Sequence, residues 1–371
     1  MNPTEKAAQR ISKFAPLAEV CAKVDDLAPV EARAVALEAA LGRVLAADVP
    51  APAALPPQAI ALRDGWAVRA DMILDAGPYA PVLLAEKPRW VEVGENIPTG
   101  TDAVLPPDAV VLKGDGAEAL ASIAPGDGIL PAAADAAKGF PLRASGERLR
   151  LVDLALLRAA GIESVKIRAP KIGLVCAKKA SRRDDFLTPA LARLIEASGG
   201  SAQLQPASSL EESLTDKSAD AVFVIGGSGC GRSDKSVLAL ARVGRVEFHG
   251  VALRPGETAV YGIAAKPVLI LPGRFDAALA IFFTLGRRLI ARLAGAREDE
   301  PAARAPLLRK IASQAGFAEF VAVRRENEGL VPLSSGPSTL ATLARADGWV
   351  LVPPESEGYP AGSVVEMRLF P

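Results

Sequence analysis

The chain has 371 residues, and because a single hydrophobic core usually stops growing at roughly 250–300 residues, about two to four domains are predicted. Its 43 Lys and Arg residues balance its 43 Asp and Glu residues, which argues against an overall field that would attract nucleic acid or an anionic membrane. Its 3 cysteines, Cys21, Cys176 and Cys230, lie far apart and form neither a disulfide framework nor a zinc pattern.

The first block, up to about residue 168, is irregular. The predicted elements are helices over 16–24 and 32–45, a connector rich in proline and alanine over 49–57, and strands over 66–68 and 109–112. Frequent Gly and Pro residues favour small β units over a doubly wound sheet. The N-terminal sequence lacks a signal-peptide pattern, and the most apolar helical segment, 277–285, is too short to cross a bilayer, so a cytoplasmic protein is predicted.

The second block, from residue 170 to about 295, alternates strand and helix patterns. Strands are predicted over 171–177, 221–225, 245–253 and 268–271, and helices over 189–197 and 275–293 with Pro189 at a first helical position. This alternation predicts a parallel α/β domain that binds ligands at the carboxyl ends of its strands.

One loop of this block has the composition of an anion-binding loop. The apolar strand 221–225 breaks into GGSGCGRSD at 226–234. Its glycines allow positive φ and a close approach of N–H groups to a ligand. The candidate ligand-binding residues are Gly226, Gly227, Ser228, Gly229 and Gly231. Asp234 is placed to cap the next helix or to hold a cation beside a bound anion. The alternative is an ordinary tight turn.

Two further loops follow apolar strands. Arg254, Pro255, Gly256 and Glu257 end the strand that contains His249, and Leu271, Pro272, Gly273 and Arg274 precede the long helix. If the sheet is parallel, all three loops converge on one ligand cleft. The alternative is that proline and glycine merely end the strands. His249 is the only histidine, so a partly buried strand position is predicted for it rather than a metal site or a catalytic triad.

The last block, from about residue 302, carries one helical pattern and several short strands. Two of these strands are predicted over 348–352 and 363–369. The block is therefore predicted to form a small β-barrel or sheet domain.

The order of these motifs resembles the molybdopterin molybdenumtransferases, the MoeA family that includes the C-terminal domain of gephyrin. In the second block the similar segments are GGSGCGRSD, FHGVALRPGETAVYG and KPVLILPGRFDAALAIF. Elsewhere they are residues 39–49, 55–57, 63–69, 97–104 and 358–362. Residues 63–69, RDGWAVR, match the family's Met-Asp-Gly-Tyr-Ala-Val signature. The resemblance therefore spans nearly the whole chain.

The resemblance implies a multidomain α/β plus β fold in an elongated homodimer. Its domains would be an N-terminal region at 1–168 with an inserted β domain at about 51–140, an α/β molybdopterin-binding domain with a parallel sheet at 169–296, and a small C-terminal β-barrel-like domain at 297–371. The family's active cleft lies between the α/β domain of one subunit and the inserted domain of the other. The family reaction converts adenylylated molybdopterin and molybdate, with Mg²⁺, into molybdenum cofactor and AMP.

Several carboxylates of the family pattern are replaced in this chain. Asp64 and Asp234 match two of the family's functional carboxylates and are the candidate catalytic and metal-binding residues. The turn after the first α/β strand reads Ala-Lys-Lys-Ala, so Lys178 and Lys179 occupy it, and Arg274 stands where the family has asparagine. Losing an outer-shell partner of a metal typically costs ~10–100-fold in affinity or activity. The replacements therefore imply that magnesium would be weakly held.

Two functions follow from this pattern. One is a divergent transferase that inserts molybdate through Asp64 and Asp234, aided by Glu95, Asp184 or Asp185. The other is a catalytically impaired paralogue that binds molybdopterin and serves as a carrier, sensor or assembly partner of other cofactor-biosynthesis proteins or of a molybdoenzyme. In either case Lys178, Lys179, Arg232, Arg254 and Arg274 are expected to make the cleft positive and to meet a phosphate.

Overall fold

The computed structural model describes residues 10–114, 116–177, 185–205, 209–297, 302–334 and 336–371. It confirms a multidomain α/β plus β fold, in which one sheet contains parallel strands flanked by helices and a separate β sheet follows it in the chain. Within the described residues, every helix is too short or too polar to span a membrane.

The first block is made of short strands with two α-helices. Its elements are α1 Leu17–Asp25, β1 Arg33–Ala36, β2 Val44–Leu45, β3 Val49–Pro50, β4 Ile60–Ala61, β5 Gly65–Val68, β6 Val82–Leu84, β7 Arg89–Val91, β8 Ala103–Leu105, β9 Val110–Lys113, β10 Gly116–Ala119, β11 Ile129–Leu130, β12 Pro141–Arg143, α2 Leu151–Ala159 and β13 Ser164–Arg168. Their sheets run β1-β13-β2, β6-β10-β9 and β7-β5-β8, with pairs β11-β4 and β12-β3. The predicted strands over 66–68 and 109–112 correspond to β5 and β9.

The prediction of a helix over residues 32–45 is wrong. Residues 33–36 form β1, which pairs antiparallel with β13, and a 3₁₀ turn, Leu37–Ala40, follows it. The helix propensity of alanine is only a weak preference, and tertiary contacts can override it. Here the backbone N–H and C=O groups of residues 33–36 pair with strand β13 instead.

A buried carboxylate stabilises the start of α2. Asp153 is 3% exposed, and its carboxylate accepts the Arg150 backbone N–H at 2.8 Å together with hydrogen bonds from the Arg143 and Arg150 side chains. Burial by itself raises the pKa of Asp153, but the hydrogen bonds from Arg150 and Arg143 outweigh it and lower that pKa from its ordinary value of 3.8.

The lowered pKa of Asp153 predicts a specific pH dependence of stability. A carboxyl whose pKa is lower in the folded chain contributes its full stabilisation above the unfolded pKa and loses it as the pH falls through the folded pKa. The gap in urea midpoint between wild type and Asp153→Asn is therefore expected to be constant near neutral pH and to narrow below about pH 4. A gap that stays constant down to pH 3 would contradict the assignment.

The second block alternates strands and helices. Its elements are β14 Lys171–Cys176, α3 Leu187–Ala197, β15 Ser201–Leu204, α4 Leu210–Thr215, β16 Ala221–Ile225, α5 Ser236–Val243, β17 Arg245–His249, β18 Leu253–Arg254, β19 Val260–Ile263, β20 Pro267–Leu271, α6 Phe275–Ile281, the π-helical segment Phe282–Gly286 and α7 Arg287–Ala294. The sheet order is β15-β14-β16-β20-β19-β17. The first four strands are parallel, while β19 is antiparallel to both of its neighbours.

Three details of this block differ from the sequence prediction. The predicted strand 245–253 stops at His249, because Gly250 adopts a φ of +97°, and residues 253–254 join a different sheet. Pro189 is the third residue of α3 rather than its first. Strand β19 was not predicted; its pairing with β20 and β17 makes the sheet mixed.

The third block is a β sheet with one short helix. Its elements are β21 Ala302–Pro306, β22 Ile311–Ala312, β23 Ala318–Glu326, β24 Gly329–Pro332, α8 Leu340–Leu343, β25 Gly348–Val352, β26 Gly358–Tyr359 and β27 Val364–Leu369. The sheet order is β18-β23-β25-β27-β21, with β24 paired to β23. Strand β18 of the second block thus belongs to this sheet.

The second and third blocks share one hydrophobic core. Trp349 of β25 is fully buried, and its ring lies 4.8 Å from that of Phe320 and 6.1 Å from that of Phe283 in the π-helical segment. Helix α1 packs on the same core, where Asp25 pairs with Arg288 at 2.5 and 2.7 Å. The C-terminal sheet is therefore held directly against the π-helical segment between α6 and α7.

Candidate functional site at the strand ends

A cavity of about 500 Å³ lies at the carboxyl ends of the strands in the second block. The ends of β14, β16 and β20 and the segment between β18 and β19 all contribute to it. The described residues that line it are Cys176, Asp185, Phe186, Leu187, Ile225, Gly226, Gly227, Ser228, Gly229, Asp234, Gly256, Glu257, Thr258, Pro272, Gly273, Arg274 and Ala277. The three loops that the sequence indicated thus surround one cavity.

The direction of the strands explains why these loops meet. Strands β14, β16 and β20 are mutually parallel. Strand β17 is antiparallel to β19, which is itself antiparallel to β20, so β17 runs the same way as β20. The carboxyl ends of β14, β16, β17 and β20 therefore lie at the same edge of the sheet. The start of β19 lies at this edge too, because β19 is antiparallel to β17 and β20, and residues 256–258 directly precede it. His249, at the end of β17, is partly buried as predicted, and its Nε2 lies 3.0 Å from the Ser228 carbonyl oxygen.

Two of the loops approach each other through glycines. A Cβ placed on Gly226 would lie 3.7 Å from the Gly273 Cα. Gly227 has a φ of +70°, and a Cβ there would lie 2.2 Å from the Ser236 Oγ. That hydroxyl is buried and donates to the Gly226 carbonyl at 2.9 Å. Gly227 therefore has both a conformational and a steric reason to be glycine.

Some backbone N–H groups of the glycine-rich loop are used within the fold. The Gly226 N–H donates to the Leu271 carbonyl at 2.8 Å, and the Gly231 N–H donates to the Asp234 Oδ2 at 3.1 Å. Gly231 does not line the cavity. The loop also supplies a side-chain hydroxyl, because Ser228 Oγ lies 3.1 Å from Thr258 Oγ1 and both residues line the cavity.

Three carboxylates line the cavity, and each contacts a nearby backbone N–H. Asp185 accepts from the Thr188 N–H at 3.0 Å, Asp234 from that of Gly231, and Glu257 from that of Gly256 at 3.0 Å. Asp234 does not cap α5, which begins without a side-chain cap. In the described part of the chain, no three acidic, histidine or cysteine side chains come together as metal ligands.

Among the residues that the structure describes, Arg274 is the only basic residue that lines the cavity. Its Nε and Nη2 donate to the two carboxylate oxygens of Asp276 at 2.7 and 3.0 Å. The hydrogen bond to Asp276 raises the pKa of Arg274, so the guanidinium keeps its charge. The described lining also holds three carboxylates, and two of the cations expected there, Lys178 and Lys179, lie outside the described residues. The positive charge of the cleft therefore stays a prediction.

Other predicted site residues lie outside the cavity lining. Arg254 donates to Gln314 and its guanidinium carbon lies 4.1 Å from the centre of the Phe317 ring, so its side chain contacts the third block. Pro255 and Arg232 do not line the cavity either. Asp64, in the first block, accepts the Val93 N–H at 2.8 Å. Lys178, Lys179 and Asp184 lie outside the described residues.

The sequence reasoning missed several lining residues. They are Cys176, Phe186, Leu187, Thr258 and Ala277. Cys176 is the second-last residue of the predicted strand 171–177, and Thr258 directly follows a predicted loop, so a strand-end rule extended by one residue on either side would have found them. Phe186 and Leu187 carry no such signal, because they lie at the start of α3 rather than at the end of a strand.

Profiles of three protein families match the chain, in the same order as its blocks. The MoeA N-terminal region (domain I and II) matches residues 3–161. A probable molybdopterin binding domain matches residues 180–292, which contain most of the cavity lining. The MoeA C-terminal region (domain IV) matches residues 304–370.

Individual relatives and one solved structure agree with these matches. A molybdopterin biosynthesis protein of Methanocaldococcus jannaschii is 25% identical over 368 residues, which cover 89% of this chain and 90% of the relative. The molybdopterin molybdenumtransferase of Haemophilus influenzae is 26% identical over 302 residues, which cover 73% of this chain and 75% of the relative. The crystal structure of the molybdopterin biosynthesis MoeA protein from Pyrococcus horikoshii OT3 superposes with a TM-score of 0.75 at 27% identity, over 96% of this chain and 100% of that one. Since all three family profiles match in order, this chain belongs to the MoeA family of molybdenum cofactor biosynthesis proteins.

Proposed function

We propose that this chain binds molybdopterin and its adenylylated form in the strand-end cavity, as a step of molybdenum cofactor biosynthesis. One observation supports this most directly. The three strand-end loops surround a cavity inside the block that matches the probable molybdopterin binding domain. The relatives described above are named as a molybdopterin biosynthesis protein and a molybdopterin molybdenumtransferase.

The composition of the cavity suits a ligand with a flat ring and a phosphate. Its volume of about 500 Å³ lies within the roughly 300–1,000 Å³ that is usual for sites of small organic ligands. Phe186 and Leu187 offer apolar surface for a ring system. The hydroxyls of Ser228 and Thr258 and the guanidinium of Arg274 offer donors for phosphate oxygens.

A cavity-filling variant tests this proposal. A Cβ on Gly273 would lie 3.6 Å from the nearest atom, which is ordinary contact, so Gly273→Val is expected to fold while its larger side chain occupies cavity space. Wild type at a ligand concentration of about 100 times Kd is expected to gain about 2.7 kcal/mol of stability from molybdopterin, and the variant much less. Urea unfolding with and without ligand measures both.

Gly77→Val is the matched control, because a Cβ at Gly77 meets nothing within 4 Å and the residue does not line the cavity. This variant is expected to bind molybdopterin as wild type does. Failure of wild-type protein to be stabilised by molybdopterin would overturn the binding proposal.

A second candidate function is the insertion of molybdate into the bound pterin. It is favoured by the three carboxylates in the cavity lining and by the relatives named molybdenumtransferases. In a homodimer with the family's arrangement, Asp64 would come from the partner copy and add a fourth carboxylate. Within one copy each of these carboxylates accepts a local N–H, so we propose that binding persists and insertion is slow.

The two candidates differ in a measurable product. Insertion releases AMP from the adenylylated pterin when molybdate is added, whereas binding alone does not. Rapid AMP release that depends on molybdate, together with growth of an insertase-deficient strain on a molybdoenzyme-dependent substrate, would favour the transferase. Binding without either result would favour a carrier or assembly protein. Sedimentation of the purified chain tests the proposed homodimer separately.

A further inference from the structure

Asp276, in the first turn of α6, is a buried carboxylate next to the cavity. Its side chain is only 2% exposed. It accepts four hydrogen bonds: from Arg274 Nε at 2.7 Å, Arg274 Nη2 at 3.0 Å, the Ala277 N–H at 2.8 Å and the Ser338 N–H at 2.9 Å. This carboxylate does not line the cavity, whereas Arg274 does.

The two charged side chains of this ion pair differ in their exposure to solvent. The carboxylate is covered, while the Arg274 side chain is 57% exposed. A guanidinium has five N–H donors, and Asp276 takes two of them on one edge. The remaining donors lie on the other edge, in the planar geometry that binds a phosphate with two hydrogen bonds. The pair therefore presents positive charge to the cavity although it is neutral as a whole.

The third block also holds Asp276 in place. Ser338, which donates to Asp276, lies in the loop before α8. Two further contacts stabilise the same loop. The Gly336 N–H donates to the carboxylate of the buried Glu319 at 3.3 Å, and the hydroxyls of Ser334 and Ser338 lie 2.6 Å apart. The orientation of Arg274 is thus connected, through one carboxylate, to the C-terminal sheet.

We propose that Arg274 makes the cavity selective for a phosphate-bearing ligand and that Asp276 is its positioning residue, held by the loop of the third block that carries Ser338. This inference rests on the proposed binding of molybdopterin. It adds that recognition of the phosphate depends on one oriented arginine rather than on the glycine-rich loop alone.

The test compares molybdopterin with the same compound after phosphatase treatment. Wild type is expected to prefer the phosphorylated form. Arg274→Ala is expected to weaken binding of that form by about tenfold or more, because a charge-assisted hydrogen-bonded contact is lost, and to leave binding of the dephosphorylated form unchanged. Arg274→Lys keeps the charge without the planar fork, so it should retain part of the preference. Arg242→Ala is the matched control, since Arg242 is exposed, pairs with Glu211 and lies outside the cavity.

Asp276→Asn tests the positioning role. The amide keeps the size of the side chain but offers one acceptor oxygen instead of two, so the guanidinium loses part of its orientation. The expected result is a reduced preference for the phosphorylated form with unchanged binding of the dephosphorylated form. A purely structural role would instead lower the melting temperature and leave this preference as in wild type, which would overturn the positioning assignment.

The outcomes separate this inference from the proposed function. If wild type binds neither form, the proposed function fails. If wild type binds both forms, and Arg274→Ala and Arg274→Lys keep its preference, binding stands and the assignment of Arg274 is overturned.

Discussion

Replacing Trp349 with alanine is expected to destabilise the chain by about 3–5 kcal/mol, the usual cost of removing a large buried aromatic side chain. Trp349 is fully buried and its ring contacts Phe320 and Phe283, so the cavity left behind would open between the C-terminal sheet and the helix that follows β20. Urea unfolding followed by circular dichroism measures the loss.

Trp349→Phe is the matched control, and it is expected to cost less than about 1.5 kcal/mol. In the described part of the chain the Trp349 Nε1 is buried without a hydrogen-bond partner. Phenylalanine keeps an aromatic ring and removes this unsatisfied donor, which offsets part of the lost volume. Equal destabilisation by the two substitutions would show that packing of this ring is not the main contribution.

Gly227→Ala is expected to destabilise the chain by about 2–4 kcal/mol and to weaken ligand binding at the cavity. The added Cβ would meet the Ser236 Oγ at 2.2 Å and would have to adopt a φ of +70°. Moving Ser236 breaks its buried hydrogen bond to the Gly226 carbonyl. Because Gly227 itself lines the cavity, displacement of the loop also changes the site.

Gly42→Ala separates the steric part of this effect from the conformational part. Gly42 has nearly the same φ, +72°, but a Cβ there meets nothing within 4 Å. The control is therefore expected to cost only about 1 kcal/mol, the strain of alanine at positive φ. If Gly42→Ala and Gly227→Ala shift the urea midpoint equally, the contact with Ser236 is not significant.

The sequence predicted the strand-end loops well because the signal is local. An apolar run such as Ala221–Ile225 can be covered on both faces only in a sheet flanked by helices, and glycine or proline must follow where the chain turns. The predicted strand and the observed β16 have the same bounds. The order of motifs was also sufficient to indicate the MoeA family, which the family matches then confirmed.

Local patterns failed where a long-range partner decided the outcome. Residues 33–36 pair with β13, about 130 positions later in the chain, so their alanines do not form a helix. Arg254 follows an apolar strand as Arg274 does, yet β18 pairs with β23 and the Arg254 side chain contacts Gln314 and Phe317. Composition alone could not distinguish the arginine that lines the cavity from the one that joins two sheets.

The sequence by itself determined the alternation of elements and the glycines at the ends of the strands, because turn chemistry and apolar periodicity act over a few neighbouring residues. The resemblance in the order of its motifs indicated the MoeA family. Tertiary structure alone decided which charged side chains reach the cavity. The pair of Arg274 with Asp276 is local, since the two residues are 2 positions apart, but the contact of Asp276 with Ser338 joins residues 62 positions apart. Such contacts depend on how two separately formed sheets pack against one helix, and no local pattern encodes that packing.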